Sequence, residues 1–503
     1  MTISWWSLVD AAAIRRPDRP MLYDDNTVPM TFASYREAAL RVAAGLAAMG
    51  VSHGSVVSWQ LPPSIEGAVL TSALTRLGAV QNPLVTTLRS AEIAFITAQM
   101  GTDVLITPGR WRGFDHGAMA RATGLVTVIV DFDDASGGLR LPVGDPLTLP
   151  AYVPPASTDT RWVFYTSGTT GEPKGVRHSD ATIVSQSDIL VEQLKLGEDE
   201  VFPVVFPIAH IGGPGILAAS LRTGLQLPMV SSFDPATTPQ TLARFAPTAL
   251  GIATPFFHAY LAAQRALGPE RLFPHLRMCL AGGAPVPSGL NEQVRTELGG
   301  VGIYNGWGLT ECPMATYAPR EETGDRIAAT VGKPGPGVEL KVAGSGELLL
   351  RGPQRFLGYQ DGRLDADALD ADGFVRTGDI GHVDDDGWVH VTGRIKEIVI
   401  RGAENISTRE VEDVLVLDPR IADVAVIGLP DPRTGERCCA CVVPAADATI
   451  GLDDLAAICR AAGLAAYKIP EQMETVEALP RNAMGKVVKD DLRRLLLGQE
   501  QIA

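Results

Sequence analysis

The run YTSGTTGEPKGV, from Tyr165 to Val176, alternates small hydroxyl residues with glycines and closes on one lysine. Glycines free backbone N–H groups to point into one concavity, and the hydroxyls of Thr166, Ser167, Thr169 and Thr170 add donors. The Lys174 ammonium supplies a point charge, so the run suits a polyphosphate. It is not a Walker A loop: the residue five after Gly168 is Pro173, and Lys174 is followed by Gly175. A second run, NGWGLTE from Asn305 to Glu311, pairs an aromatic face at Trp307 that can pack on a purine with a hard carboxylate at Glu311 that suits Mg²⁺. His210, in PIAHIGG, offers a neutral imidazole able to position a carboxylate or phosphate oxygen.

The elements around these runs are legible from hydrophobic periodicity. Tyr35 to Met49 repeats apolar residues at helical spacing, VVSW follows as a strand, and further strands are expected at VLITP and VTVIVDF, with a helix over Ile65 to Leu77. This alternation predicts α/β layers around a mainly parallel sheet. The apolar strand RWVFYT leads straight into the glycine-rich loop, and a helix should begin near Ser179. From Leu340 short strands separated by Gly and Asp turns predict a small β-barrel or meander. After Arg394 the texture changes again, and the remainder is long enough for a compact domain of its own. The expected fold is therefore α/β, with a large N-terminal domain over 1–394 and a smaller α+β domain over 395–503.

Composition narrows the classes. A chain of 503 residues with 46% hydrophobic content can bury a sizeable core in more than one domain. With 43 Lys+Arg against 58 Asp+Glu the formal charge is −15, which argues against nucleic acid as a partner and requires any polyanionic ligand to be held locally. The amino-terminal stretch places its arginines after a short apolar run, the reverse of a secretory signal, and no stretch offers about twenty clean apolar residues. A cytoplasmic protein without a membrane span is expected, with peripheral lipid contact left open. Six cysteines make no disulfide framework. Cys438 and Cys441 form a C-x-x-C, but ERCCACVVP reads as a buried apolar strand rather than a metal site.

The Tyr165–Val176 run resembles the phosphate loop of the adenylate-forming superfamily, which includes acyl-CoA synthetases, peptide-synthetase adenylation domains and luciferases. Further segments occur in that family's order: GGAPVP at Gly282, NGWGLTE at Asn305, RTGD ending at Asp379, GRIKE at Gly393, GAENIS at Gly402 and PRNAMGK ending at Lys486. The resemblance implies an ATP site made of Thr166, Ser167, Gly168, Thr169, Thr170, Gly171, Lys174, Gly282, Gly283, Ala284, Pro285, Asn305, Gly306, Trp307, Gly308, Thr310, Asp379 and Arg394. It implies Mg²⁺ on Thr166 and Glu311, ribose hydroxyls on Asp379 and Arg394, and Thr310 approaching the α-phosphate. Lys486 is implied as the catalytic lysine of the first half-reaction, where two anions meet and charge builds in the transition state. His210 matches a residue between ATP and acid. With Ile211, Gly212, Gly213 and Gly306 it is expected to line an acyl pocket in which the glycines remove side-chain bulk. Lys396 falls at the family's hinge, and Gly402, Ala403 and Glu404 at the loop that meets pantetheine, with Ala403 departing from the usual glycine.

The implied activity is an acid–thiol ligase that uses ATP and Mg²⁺ to adenylate a carboxylic acid and passes the acyl group to coenzyme A. QNPL at Gln81 and WRGFDH at Trp111 also resemble synthetases for medium-chain and cyclohexane-carboxylic acids, pointing to a fatty, medium-chain or alicyclic acid. Two alternatives stand beside this: an acyl-adenylate ligase that loads a carrier protein in trans, and a non-catalytic nucleotide-binding module. With only a short tail after Lys486 no following carrier domain is expected, and Lys174, Glu311, Asp379, Arg394 and Lys486 are all present.

Overall fold

The computed structural model describes residues 4–24, 29–132, 140–166, 173–283, 286, 288–300, 302–324, 326–401, 404–482 and 485–500. The helix Ile65–Leu77 forms where its periodicity predicts. Ser64 caps it by accepting from the Gly67 N–H at 3.1 Å, and Gly78 ends it with φ at +71°. It is buried on nearly all sides, with Glu66, Thr71, Ser72 and Thr75 buried as well as its apolar residues. The helix packs beside parallel strands Val56–Trp59, Val80–Pro83, Val104–Pro108 and Val126–Val130, of which Val104–Pro108 is buried at every residue while the edge strand Val126–Val130 leaves Val126 and Ile129 exposed. Trp162–Thr166 joins this sheet in parallel beside Val80–Pro83. Lys174–His178 and Gly358–Tyr359 then extend it antiparallel, giving seven strands.

A second sheet sets parallel strands Ala249–Ile252, Met278–Gly282 and Ile303–Leu309 side by side, and Cys312–Tyr317 turns back antiparallel onto the last of them. The strands from Glu339 form a four-stranded antiparallel sheet of Glu339–Val342, Glu347–Arg351, Val375–Val383 and Val389–Arg394. The smaller domain has its own sheet, in which Gly435–Pro444 pairs along its length with Ile421–Asp431, and its own apolar cores on either face. Cys438 and Cys441 point to opposite faces of Gly435–Pro444, one into each core, so the C-x-x-C pair cannot share a metal.

The strand that leads into the phosphate loop is anchored by a buried carboxylate. Asp180 accepts from the Trp5 backbone N–H at 2.9 Å and from Trp162 Nε1–H at 3.0 Å, joining the amino-terminal helix Trp5–Arg15 to the central sheet. Among the described residues no helix is long and apolar enough to cross a membrane.

Candidate active site

The antiparallel pairing of Trp162–Thr166 with Lys174–His178 puts Thr166 directly opposite Lys174, so the two ends of the glycine-rich loop are held together. Ser167, Gly168, Thr169, Thr170 and Gly171 lie outside the described residues. Lys174 Nζ sits 5.6 Å from the centroid of the Tyr359 ring, and the Tyr359 hydroxyl donates to Glu311 Oε1 at 2.5 Å. Tyr359 thus links the loop lysine to the carboxylate, a connection that FLGYQ does not announce because it depends on Tyr359 pairing opposite Val176. His178 is a second residue that the motifs do not point to. Its Nε2–H donates to the Thr310 carbonyl at 2.8 Å, and burial pushes its imidazole down to about 4, so it stays neutral.

Gly282 and Gly306 are partners on adjacent parallel strands, as are Ala281 and Asn305. Asn305 is buried and its Oδ1 has no hydrogen-bond partner among the described residues. Gly283 adopts φ of +79°, and a Cβ there would meet open space, whereas a Cβ on Gly308 would come within 2.7 Å of the Met314 amide nitrogen. The first glycine serves the backbone turn and the second the tight hairpin. Ala284 and Pro285 lie outside the described residues.

Asp379 faces Arg394 across Val375–Val383 and Val389–Arg394. Arg394 Nε donates to Asp379 Oδ1 at 2.5 Å and Trp307 Nε1 donates to Oδ2 at 2.7 Å. Asp379 is buried, so these donors supply what water cannot. Lys486 reaches the same cluster from the smaller domain. Burial first, and then Arg394, push its ammonium below the ordinary lysine range, while Glu397 and Asp379 pull the other way. Glu397 is pushed up by burial, but Lys489, Lys486 and Arg394 together hold it below the usual carboxylate range. The segment is seated by Gly485, with φ of +77° and its Cα facing Pro255 and Ala253, and by the Lys486 N–H donating to Asn482 Oδ1 at 3.0 Å. Lys396 lies in the turn Ile395–Glu397 between the two domains' sheets, where burial and the charges of Lys174 and Arg394 lower its ammonium.

In the PIAHIGG segment, His210 Nδ1 accepts from the Gly212 N–H at 3.4 Å, and burial pushes the imidazole down to about 4. Ile211 is buried beside it. A Cβ on Gly212 would lie 3.6 Å from Met314 Cε, an ordinary contact. The other two glycines are explained by their neighbours: a Cβ on Gly213 would meet the Ile208 carbonyl oxygen at 2.2 Å, and one on Gly306 would meet the Tyr317 ring. Of the loop expected at pantetheine, Gly402 and Ala403 lie outside the described residues, and Glu404 is exposed opposite Arg401.

A layered α/β domain carrying a glycine-rich loop, followed by a small domain that delivers a lysine to an Asp–Arg–Trp cluster, defines an adenylating enzyme. The AMP-binding enzyme profile matches residues 9–360, and the AMP-binding enzyme C-terminal domain matches residues 410–486. The chain is 34% identical over 502 residues to the 3-[(3aS,4S,7aS)-7a-methyl-1,5-dioxo-octahydro-1H-inden-4-yl]propanoyl:CoA ligase of Mycobacterium tuberculosis, covering 97% of this chain and 98% of that one. It is 30% identical to the medium-chain fatty-acid–CoA ligase of Escherichia coli, covering 95% and 88%. Its fold superposes on ATP-bound MatB from Rhodopseudomonas palustris with a TM-score of 0.85 at 27% identity, covering 98% of this chain and 99% of that one. The chain belongs to the AMP-binding enzyme family. It is an ATP-dependent acid–thiol ligase that adenylates a carboxylic acid and forms a coenzyme A thioester, with ATP and Mg²⁺ as its requirements.

Proposed function

We propose that the chain activates a fatty, medium-chain or alicyclic acid at the junction of the two domains, with Lys486 as the catalytic lysine of adenylation. The observation that carries this is the convergence of Lys486 with Arg394 and Asp379, brought about by Gly485 seating on Ala253 and Pro255. In the first half-reaction a carboxylate oxygen of the acid attacks the α-phosphorus of ATP and pyrophosphate leaves. Lys486 and Lys174 offset the charge that builds on the phosphates. Asn305 Oδ1 would accept from the exocyclic amine of adenine, which satisfies an otherwise orphaned buried acceptor. Asp379 and Arg394 hold the ribose hydroxyls, and Thr310 lies toward the α-phosphate. Glu311, whose Oε1 is taken by Tyr359, would offer its other oxygen to Mg²⁺ together with the Thr166 hydroxyl. When bound there, Mg²⁺ would supply charge neutralisation for the phosphates.

In the second half-reaction the coenzyme A sulfur attacks the acyl carbonyl and AMP leaves. Lys486 must withdraw to open that approach, so the domains 1–394 and 395–503 pivot at Lys396, a reading supported by the short turn Ile395–Glu397 that alone separates two distinct sheets. Gly402, Ala403 and Glu404 then form the pantetheine loop. His210, Ile211, Gly212, Gly213 and Gly306 border the acid, and the acid class is supported by the medium-chain fatty-acid and ring-containing propanoyl:CoA ligases among the relatives. A small β-barrel for Glu339–Arg394 is supported by register shifts that bend its strands. A cytoplasmic location is supported by six cysteines that are all free thiols. The test is pyrophosphate release over straight-chain, aromatic and alicyclic acids with and without coenzyme A. Turnover confined to short dicarboxylic or aromatic acids would overturn the acid class.

A further inference from the structure

Tyr317 ends the strand Cys312–Tyr317 and is only 5% exposed. Its ring lies across the neighbouring strands. A Cβ built on Gly306 would stand 2.3 Å from Tyr317 Cζ and 2.5 Å from both Cε atoms, and one built on Gly282 would stand 3.4 Å from the hydroxyl oxygen. Gly282 and Gly306 are themselves paired across the parallel strands. The two glycines are therefore the floor on which this ring rests, and no larger residue at 306 is compatible with it. The ring belongs to the same apolar cluster as Ile208, Ala209 and Ile211, and Met314 packs on that cluster and reaches toward Gly212. Tyr317 thus lies on the glycine floor, while Met314 of the same strand reaches Gly212 in the His210 segment.

Its hydroxyl differs from those of other buried tyrosines. Tyr35 donates to the Ala68 carbonyl, Tyr260 to that of Gly251, and Tyr304 to those of Arg320 and Glu322. The Tyr317 hydroxyl has no such bond among the described residues, while burial pushes its phenol up and keeps it a donor. The hydroxyl is not sealed from water, so an acyl group that displaces water there leaves the donor unpaired unless it offers an oxygen of its own, and a site built to bond an oxygen rejects analogues that lack it.

We propose that Tyr317 is a specificity-determining residue of the acyl pocket: its ring replaces side chains at Gly282 and Gly306 as one wall, and its hydroxyl donates to an oxygen on the acyl skeleton away from the reacting carboxyl. This rests on the assignment of the acyl pocket to the His210 segment and Gly306. The occupant it selects is an acid bearing a carbonyl or ether oxygen, in preference to the plain hydrocarbon acid of the same shape.

Pyrophosphate release is measured for a matched pair, 3-(4-oxocyclohexyl)propanoate and 3-cyclohexylpropanoate, with wild type and Tyr317→Phe. The wild type is expected to favour the oxo acid in kcat/KM by about tenfold or more, and Tyr317→Phe to bring the ratio for the two acids close to one. Equal turnover of the pair by wild type, or equal loss on both acids in Tyr317→Phe, overturns the role of the hydroxyl. Gly306→Ala should be impaired and Gly306→Ala/Tyr317→Ala should recover at least part of the loss; no recovery overturns the wall. Gly212→Leu separates this inference from the reading beneath it. If that variant leaves the acid profile unaltered, the pocket assignment falls and the inference with it; if it shifts the profile while Tyr317→Phe does not, the inference alone falls.

Discussion

The indole N–H of Trp307 donates to Asp379 Oδ2 at 2.7 Å, so the aromatic ring and the carboxylate of the proposed nucleotide site are one hydrogen-bonded unit. Arg394 completes it on the other carboxylate oxygen. With both donors in place the carboxylate is oriented before nucleotide arrives, which lowers the ordering cost of binding.

Trp307→Phe keeps an aromatic face and removes only the N–H. Hydrogen bonds to charged groups are worth about 1.5–3 kcal/mol, so KM for ATP should rise roughly tenfold or more with a smaller change in kcat. An unchanged KM would show that Asp379 is positioned by Arg394 alone.

Lys486→Ala should lose about a hundredfold to a thousandfold in adenylation, as for removal of one preorganised donor, while thioester formation from supplied acyl adenylate survives. Comparable collapse of both half-reactions would point to a folding role. The active form is the ammonium, so activity falls as pH rises through its pKa. Because burial and Arg394 lower that pKa, the alkaline limb of kcat/KM for adenylation should lie below the ordinary lysine range and move upward in Lys486→Arg.

Tyr359→Phe removes the donor that orients Glu311 without touching the carboxylate itself. Titration of turnover with Mg²⁺ should then show a requirement raised by about tenfold, in line with the loss of an outer-shell partner. A Mg²⁺ dependence identical to wild type would show that the Tyr359 bond does not position Glu311 for the metal, and an unchanged dependence in Glu311→Ala would remove Glu311 from the metal site.

Lys396→Pro constrains the turn between the two sheets. Single-turnover measurements should find thiol transfer slowed more than adenylation, since only the second step requires the domains to reorient. Equal losses would place the pivot elsewhere.

His178 and His210 are both held near 4 by burial, against an ordinary value of 6.5. The unfolded chain therefore takes up protons first as pH falls below about 6.5, and the folded chain only near 4, so stability should decline across that window and level off below it. Urea midpoints measured from pH 7 to 4 should show a shallower decline in His178→Gln than in wild type. Parallel declines would mean that carboxylates alone set the acid limit.

The helix Ile65–Leu77 and the strand-to-loop transition at Thr166 were readable because periodicity and loop glycines act over a few neighbouring residues. The order of the short motifs, from the phosphate loop to Lys486, was likewise visible along the chain. Which of those motifs touch was not. Trp307 meets Asp379, Tyr359 meets Glu311, and His178 meets Thr310 across separations of 72, 48 and 132 residues. No local spacing encodes such bonds; they exist only once strands from different sheets have settled in register. Gly306 shows the same division. Read in sequence it is a missing side chain, and therefore room. In the folded protein that room is taken by the Tyr317 ring from the next strand, because close packing leaves no unclaimed volume beside a glycine on a buried sheet face.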